Sequence, residues 1–179
     1  STRDWSSDVC SSDLLLNSGN YLSSVPNQKL EECEAIIIAV PTPLDENRQP
    51  NLEYVENACN AIKSNVESRK LIINESTSYP GTLKEVIKAR IDVPGKLEHE
   101  YAASPERVDP LNSTWNLSNT PRLVSGLTAE ATSKALNLYS KFNTNLMKVD
   151  TPEIAEIAKL FENAFRQVNI ALVNQLAQI

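Results

Sequence analysis

A chain of 179 residues, 41% hydrophobic and 22% charged, is long enough for one domain with a buried core and has the charge content of an ordinary globular protein. Its net charge of −6 argues against nucleic-acid and anionic-membrane partners, which need clustered cations. It leaves room for an anionic ligand held by a few placed cations or a helix N-terminus.

Residues 1–14 are polar and serine-rich, with neither helical nor strand periodicity. The run from Asp4 to Leu14 resembles the translated product of a common sequencing adapter. Residues 1–14 are therefore expected to be a non-native tail, with Trp5 and Cys10 carrying no function. Glu34 to Val40 (EAIIIAV) is a short apolar run of the kind found in buried parallel strands. A proline-rich loop, Pro41 to Pro50, follows it. Asn51 is then placed to cap a helix over Leu52 to Val66, where Val55, Ala58, Cys59 and Ile62 recur at helical spacing. Lys70 to Ile73 reads as a second strand, and Pro80-Gly81-Thr82 introduces a second helix, Leu83 to Ala89. Glu100 to Ala103 is a third strand and, beyond a polar loop, Arg122 to Ser125 a fourth. Thr128 to Tyr139 is helical and Thr144 to Val149 strand-like. Strands alternating with helices predict an α/β fold with a mostly parallel sheet.

Thr151-Pro152-Glu153 has the form of a helix start, with a capping hydroxyl, proline in the first turn and an acid at the positive end of the dipole. Nothing breaks the helix from there to Ile179. At 100° per residue, Ile154, Ile157, Phe161, Phe165, Val168, Leu172 and Leu176 share one side. Glu156, Lys159, Glu162, Asn163, Arg166, Gln167, Asn169 and Asn174 share the other. Asparagines are poor helix formers, so this polar side is more than a solvated face. No apolar run approaches the ~20 residues needed to span a bilayer, and no export signal opens the chain, so a cytoplasmic protein is expected. Cys10, Cys33 and Cys59 form no disulfide framework, zinc pattern or redox pair, and the single His99 cannot build a metal site. The sequon-like triplets at Asn74, Asn112 and Asn116 are expected to be fortuitous.

Four segments, in order, resemble the UDP-glucose/GDP-mannose dehydrogenase family. They are Val40-Pro41-Thr42-Pro43, Glu75 to Thr82 (ESTSYPGT), Ser104-Pro105-Glu106-Arg107, and Glu156 to Leu176 (EIAKLFENAFRQVNIALVNQL). The loops PTPLDENRQP and SPERVDP most resemble the members that act on UDP-N-acetylhexosamines, although Leu111 and Ala39 depart from that pattern. The resemblance implies an incomplete Rossmann-like parallel sheet followed by a long central helix. Residues 15–150 would be the C-terminal part of an NAD-binding domain, and residues 151–179 the start of a helical dimerisation domain. The reaction implied is oxidation of the C6 alcohol of a UDP-sugar to the uronic acid in two NAD-dependent steps through a cysteine-bound thioester.

By resemblance, Glu106 is the catalytic base of hydrolysis, and Lys159 and Asn163 stabilise the oxyanion. Thr77 positions water beside the cofactor, and Pro41, Thr42, Ser76 and Thr77 contact NAD. The spacing agrees, since residues four apart on a helix project toward one point, as a cation and an amide donor aimed at a developing oxyanion must. The four glycines, Gly19, Gly81, Gly95 and Gly126, form no G-x-G-x-x-G turn, and neither Cys33 nor Cys59 sits in a nucleophile's context. The chain is therefore expected to be an internal part of the enzyme and inactive by itself. Two alternatives stay open: a hydroxyacid dehydrogenase of the 6-phosphogluconate type, which lacks a catalytic cysteine, and a non-catalytic helical assembly module.

Overall fold

In the computed structural model, residues 29–95, 98–108, 112 and 114–179 are described; the expectations for residues 1–14 and for Leu111 lie outside them. The run EAIIIAV supplies β1 (Ala35–Ile38), which pairs in parallel with β2 (Leu71–Asn74). In turn, β2 pairs in parallel with β3 (Glu100–Ala103). Every residue of β2 and β3 is buried, as expected of strands covered on both faces. β4 (Arg122–Gly126) and β5 (Leu146–Lys148) complete a sheet of order β1-β2-β3-β4-β5.

One pairing departs from a parallel sheet. β4 runs antiparallel to β3, and β5 then runs parallel to β4. A parallel neighbour needs a crossover, usually a helix, to carry the chain back over the sheet. Between Ala103 and Arg122 the described residues contain no helix, so the chain returns in the opposite direction. The start of β4 consequently lies at the same edge as the ends of β1, β2 and β3.

Helix α1 (Glu53–Asn65) begins one residue later than expected, with Leu52 at the cap position. Asn51 still contributes, because its side-chain oxygen accepts the Glu53 N–H at 2.8 Å. Helix α2 opens with a π-helical stretch, Leu83–Lys88, and closes with an α-helical turn, Ala89–Ile91. Helix α3 (Ala129–Tyr139) is capped by the Thr128 hydroxyl, which accepts the Ala131 N–H at 3.0 Å. Helix α4 (Pro152–Leu176) is continuous over 25 residues. Thr151 occupies its cap position, but its hydroxyl makes no capping bond, contrary to expectation.

Helices cover both faces of the sheet. Val55, Cys59 and Ile62 of α1 and Leu83 and Ile87 of α2 pack with Ile36, Ile38, Ile72 and Tyr101. Ala135 and Tyr139 of α3 pack with Leu71, Ile73, Ala102 and Val124 on the other face. Among the described residues, α4 joins this body through buried Pro152, Ala155 and Glu156 and through the Arg107–Glu162 ion pair. Its apolar stripe is uncovered beyond Glu156: Phe161 is 70% exposed, Phe165 64% and Val168 67%.

Candidate functional site

The loops leaving β1, β2 and β3 are laced together by backbone and short side chains. The Ile38 carbonyl accepts the N–H groups of Glu75 (2.9 Å) and Ser76 (3.2 Å). The Ser76 hydroxyl accepts the Val40 N–H at 2.8 Å, and the Thr42 hydroxyl donates to the Thr77 carbonyl at 2.7 Å. The Glu106 N–H donates to the Glu75 carbonyl at 3.3 Å. Asn74, fully buried, closes its own turn: its side-chain oxygen accepts the Ser76 N–H and its amide donates to the Ser78 hydroxyl. Burial at this position also leaves the first sequon-like asparagine inaccessible.

Carboxyl ends of parallel strands are where dinucleotides bind in open α/β sheets. Of the four residues expected at the cofactor, Pro41 is exposed and Thr42 and Thr77 are half-buried, so all three can be reached. Ser76 is buried with its hydroxyl bonded to the Val40 N–H just beyond β1, so its side chain shapes the loop. These loops fit one flank of a dinucleotide, but no glycine-rich turn for the pyrophosphate occurs in the 179 residues.

A charged cluster sits beside these loops. One oxygen of Glu106 accepts the N–H groups of Arg107 (2.6 Å) and Val108 (2.7 Å), and the other pairs with the Arg122 guanidinium. A carboxylate offers about four acceptor positions, so this arrangement leaves room for a water. The other arm of Arg122 donates to Glu75 at 2.9 Å and to the Ser104 carbonyl at 3.2 Å. The guanidinium lies 4.4 Å from the centre of the Tyr139 ring, and the Tyr139 hydroxyl donates to Glu75. Burial, with Glu75 beside it, pushes the Tyr139 phenol well above its usual range, so it keeps its proton.

Helix α4 enters from the other side. Arg107 forks onto Glu162 of α4, with Nε at 2.8 Å. Lys159, half-buried, has its pKa lowered chiefly by burial; Glu162 and Glu106 oppose the shift, while Arg166 and Arg107 add to it. Asn163, also half-buried, lies one turn further along α4 than Lys159. A carboxylate with an open acceptor position can activate a water, and a cation and an amide four residues apart on a helix can stabilise an oxyanion.

Glu156, assigned from the helical wheel to the same polar face, does something else. It is fully buried and its carboxylate accepts the N–H groups of Gly81 (2.7 Å) and Leu83 (3.0 Å), at the N-terminus of α2. Burial pushes its carboxyl up to about 7 against the lowering effect of these two bonds, with Glu153 and Glu85 adding to the rise. Sequence reasoning did not single out Arg122; it read Glu75 only as part of a resembling segment and Asn74 only as a fortuitous sequon. Arg122 opens a strand called from its apolar pattern, and nothing in that pattern marks its first residue. Burial pushes the Cys59 thiol up to about 11, which removes it as a nucleophile. His99 accepts the Lys70 N–H through Nδ1. Among the described residues no cluster could hold a metal ion, and no helix is long and apolar enough to cross a membrane.

Comparison with known proteins gives a consistent result. A family model for the NAD-binding domain of the UDP-glucose/GDP-mannose dehydrogenase family matches residues 14–143. A UDP-N-acetyl-D-glucosamine 6-dehydrogenase from Pseudomonas aeruginosa is 35% identical over 157 residues, covering 85% of this chain and 37% of that protein. A UDP-N-acetyl-D-mannosamine dehydrogenase from Methanocaldococcus jannaschii is 35% identical over 168 residues, covering 92% and 38%. The solved structure of a UDP-D-ManNAc dehydrogenase from Pyrococcus horikoshii superposes with a TM-score of 0.79 at 30% identity, covering 90% of this chain and 39% of that one. The chain spans about two-fifths of the length of the curated relatives it matches.

Proposed function

Since the chain belongs to the UDP-glucose/GDP-mannose dehydrogenase family, and what it matches there is the NAD-binding domain, we propose that it is part of an enzyme oxidising the C6 alcohol of a UDP-sugar, a UDP-N-acetylhexosamine, to the carboxylate. The relatives' substrates support the sugar class. NAD, when bound, supplies the hydride acceptor for both oxidations. The loops after β1 and β2 would hold it through Pro41, Thr42 and Thr77, with Ser76 shaping the turn. The thiol that carries the sugar as a thioester comes from outside these 179 residues, and the chain by itself is inactive. The complete enzyme is a cytoplasmic homodimer formed through 151–179, a segment whose apolar stripe is exposed here.

The hydrolytic step falls to residues of this chain. Glu106 takes a proton from a water held with the help of Thr77. The water adds to the thioester carbonyl, the C–S bond breaks, and carboxylate and free thiol result. Lys159 and Asn163 donate to the carbonyl oxygen as it becomes negative. The observation that carries this reading is the Arg107–Glu162 fork, which ties the residue after Glu106 to the stretch of α4 between Lys159 and Asn163. The test uses the full-length protein. Lys159→Ala should lower turnover roughly 10²- to 10³-fold, the usual cost of one oxyanion donor, with little change in NAD affinity. Glu106→Gln should accumulate a covalent sugar-nucleotide adduct, read by intact-protein mass spectrometry after a substrate pulse. Normal turnover in Glu106→Gln, with no adduct, would refute its role as base.

A further inference from the structure

Glu106 does not stand alone, and the group that orients it comes from an unexpected strand. Arg122 is 3% exposed, and an isolated buried guanidinium is costly unless paired and hydrogen-bonded. Its planar fork is shared between Glu75, at the end of β2, and Glu106, beyond the end of β3. The Tyr139 ring lies against it, and the Tyr139 hydroxyl fixes Glu75 in turn. One carboxylate would satisfy a structural pair. Here a single cation holds two, and one of them, Glu106, keeps its side chain 38% exposed to solvent.

We propose that Arg122 is a positioning residue for the hydrolytic step: braced by Glu75 and Tyr139, its guanidinium aims the Glu106 carboxylate at the attacking water. The proposal rests on the functional reading above. Among the described residues Arg122 provides the only side-chain hydrogen bond to Glu106, the other two coming from backbone N–H groups. Loss of the fork would let the carboxylate turn about these two bonds, while the loops after β1 and β2 keep the Ile38, Val40–Ser76 and Thr42–Thr77 hydrogen bonds, none of which involves Arg122.

The test compares Arg122→Lys, Arg122→Ala and wild type in the full-length protein, following the first hydride transfer, the covalent adduct and steady-state turnover. In Arg122→Lys the first oxidation and the KM for NAD should stay within about twofold, while hydrolysis slows roughly 10- to 100-fold and adduct accumulates, a part of what a general base contributes. Added guanidinium ion should restore hydrolysis in Arg122→Ala; a merely structural arginine would not give a step-specific defect that an external cation repairs. Should Arg122→Ala fail to fold, Arg122→Lys, which keeps the charge, decides the matter. Normal hydrolysis in Arg122→Lys, or an equal slowing of every step, overturns the proposal. A wild-type protein inactive with every UDP-sugar overturns the functional reading itself, and the proposal with it.

Discussion

Glu156 shows how far a single side chain can depart from what its helical position suggests. From the wheel it belongs with Lys159 and Asn163, yet it turns inward and ties α4 to the first turn of α2, 75 residues earlier in the chain. Its carboxyl is raised from the ordinary 4.5 to about 7 by burial. Between those values the folded protein holds a proton that the unfolded chain has released. This group's contribution to stability is therefore full below about 4.5 and is lost as the pH rises toward about 7. Each pH unit of that difference is worth about 1.4 kcal/mol. Glu156→Gln cannot titrate, so melting temperatures from pH 5 to 8 should show wild type falling relative to the variant as pH rises. Parallel curves would mean that Glu156 is not the group responsible.

At the scale of elements, the reversal of β4 does most to build the site. It brings Arg122 to the edge where β2 and β3 end, 47 residues from Glu75 and 16 from Glu106. The same strand ends tightly. An added Cβ at Gly126 would lie 2.7 Å from the Ala131 Cβ and 2.7 Å from the Thr132 nitrogen, at the start of α3. Gly126→Ala should therefore destabilise the fold by about 1–3 kcal/mol, the usual cost of overpacking. Thermal denaturation should register this as a fall of several degrees, and an unchanged melting temperature would show that α3 moves aside freely. The alternation of strand and helix was legible in the sequence, because buried strands and amphipathic helices have distinct periods. So was the Lys159–Asn163 spacing, since four residues make one helical turn. The direction of β4 was not, because periodicity records which residues are buried and says nothing of which way a strand runs. Arg122 and its pairing with Glu75 were missed for that reason: the partnership exists only once the strand has turned back.

Over the whole molecule, α4 is the element least accounted for by the rest of the chain. It is about 37 Å long at 1.5 Å per residue, and among the described residues its buried positions are Pro152, Ala155 and Glu156. Exposed Phe161, Phe165, Val168 and Leu172 form a continuous stripe of the kind that marks an interaction surface. The proposed occupant is the same helix of a second copy. Sedimentation of the full-length protein should give a dimer, and Phe161→Asp combined with Phe165→Asp should give a monomer; a double variant that stays dimeric would move the interface elsewhere. The exposed stripe also changes what stability means for this protein. If folding is complete only when the stripe is covered by another copy, association and folding are linked by mass action. The melting temperature then becomes a property of the solution as much as of the sequence: it rises with protein concentration, and dilution by itself weakens the fold.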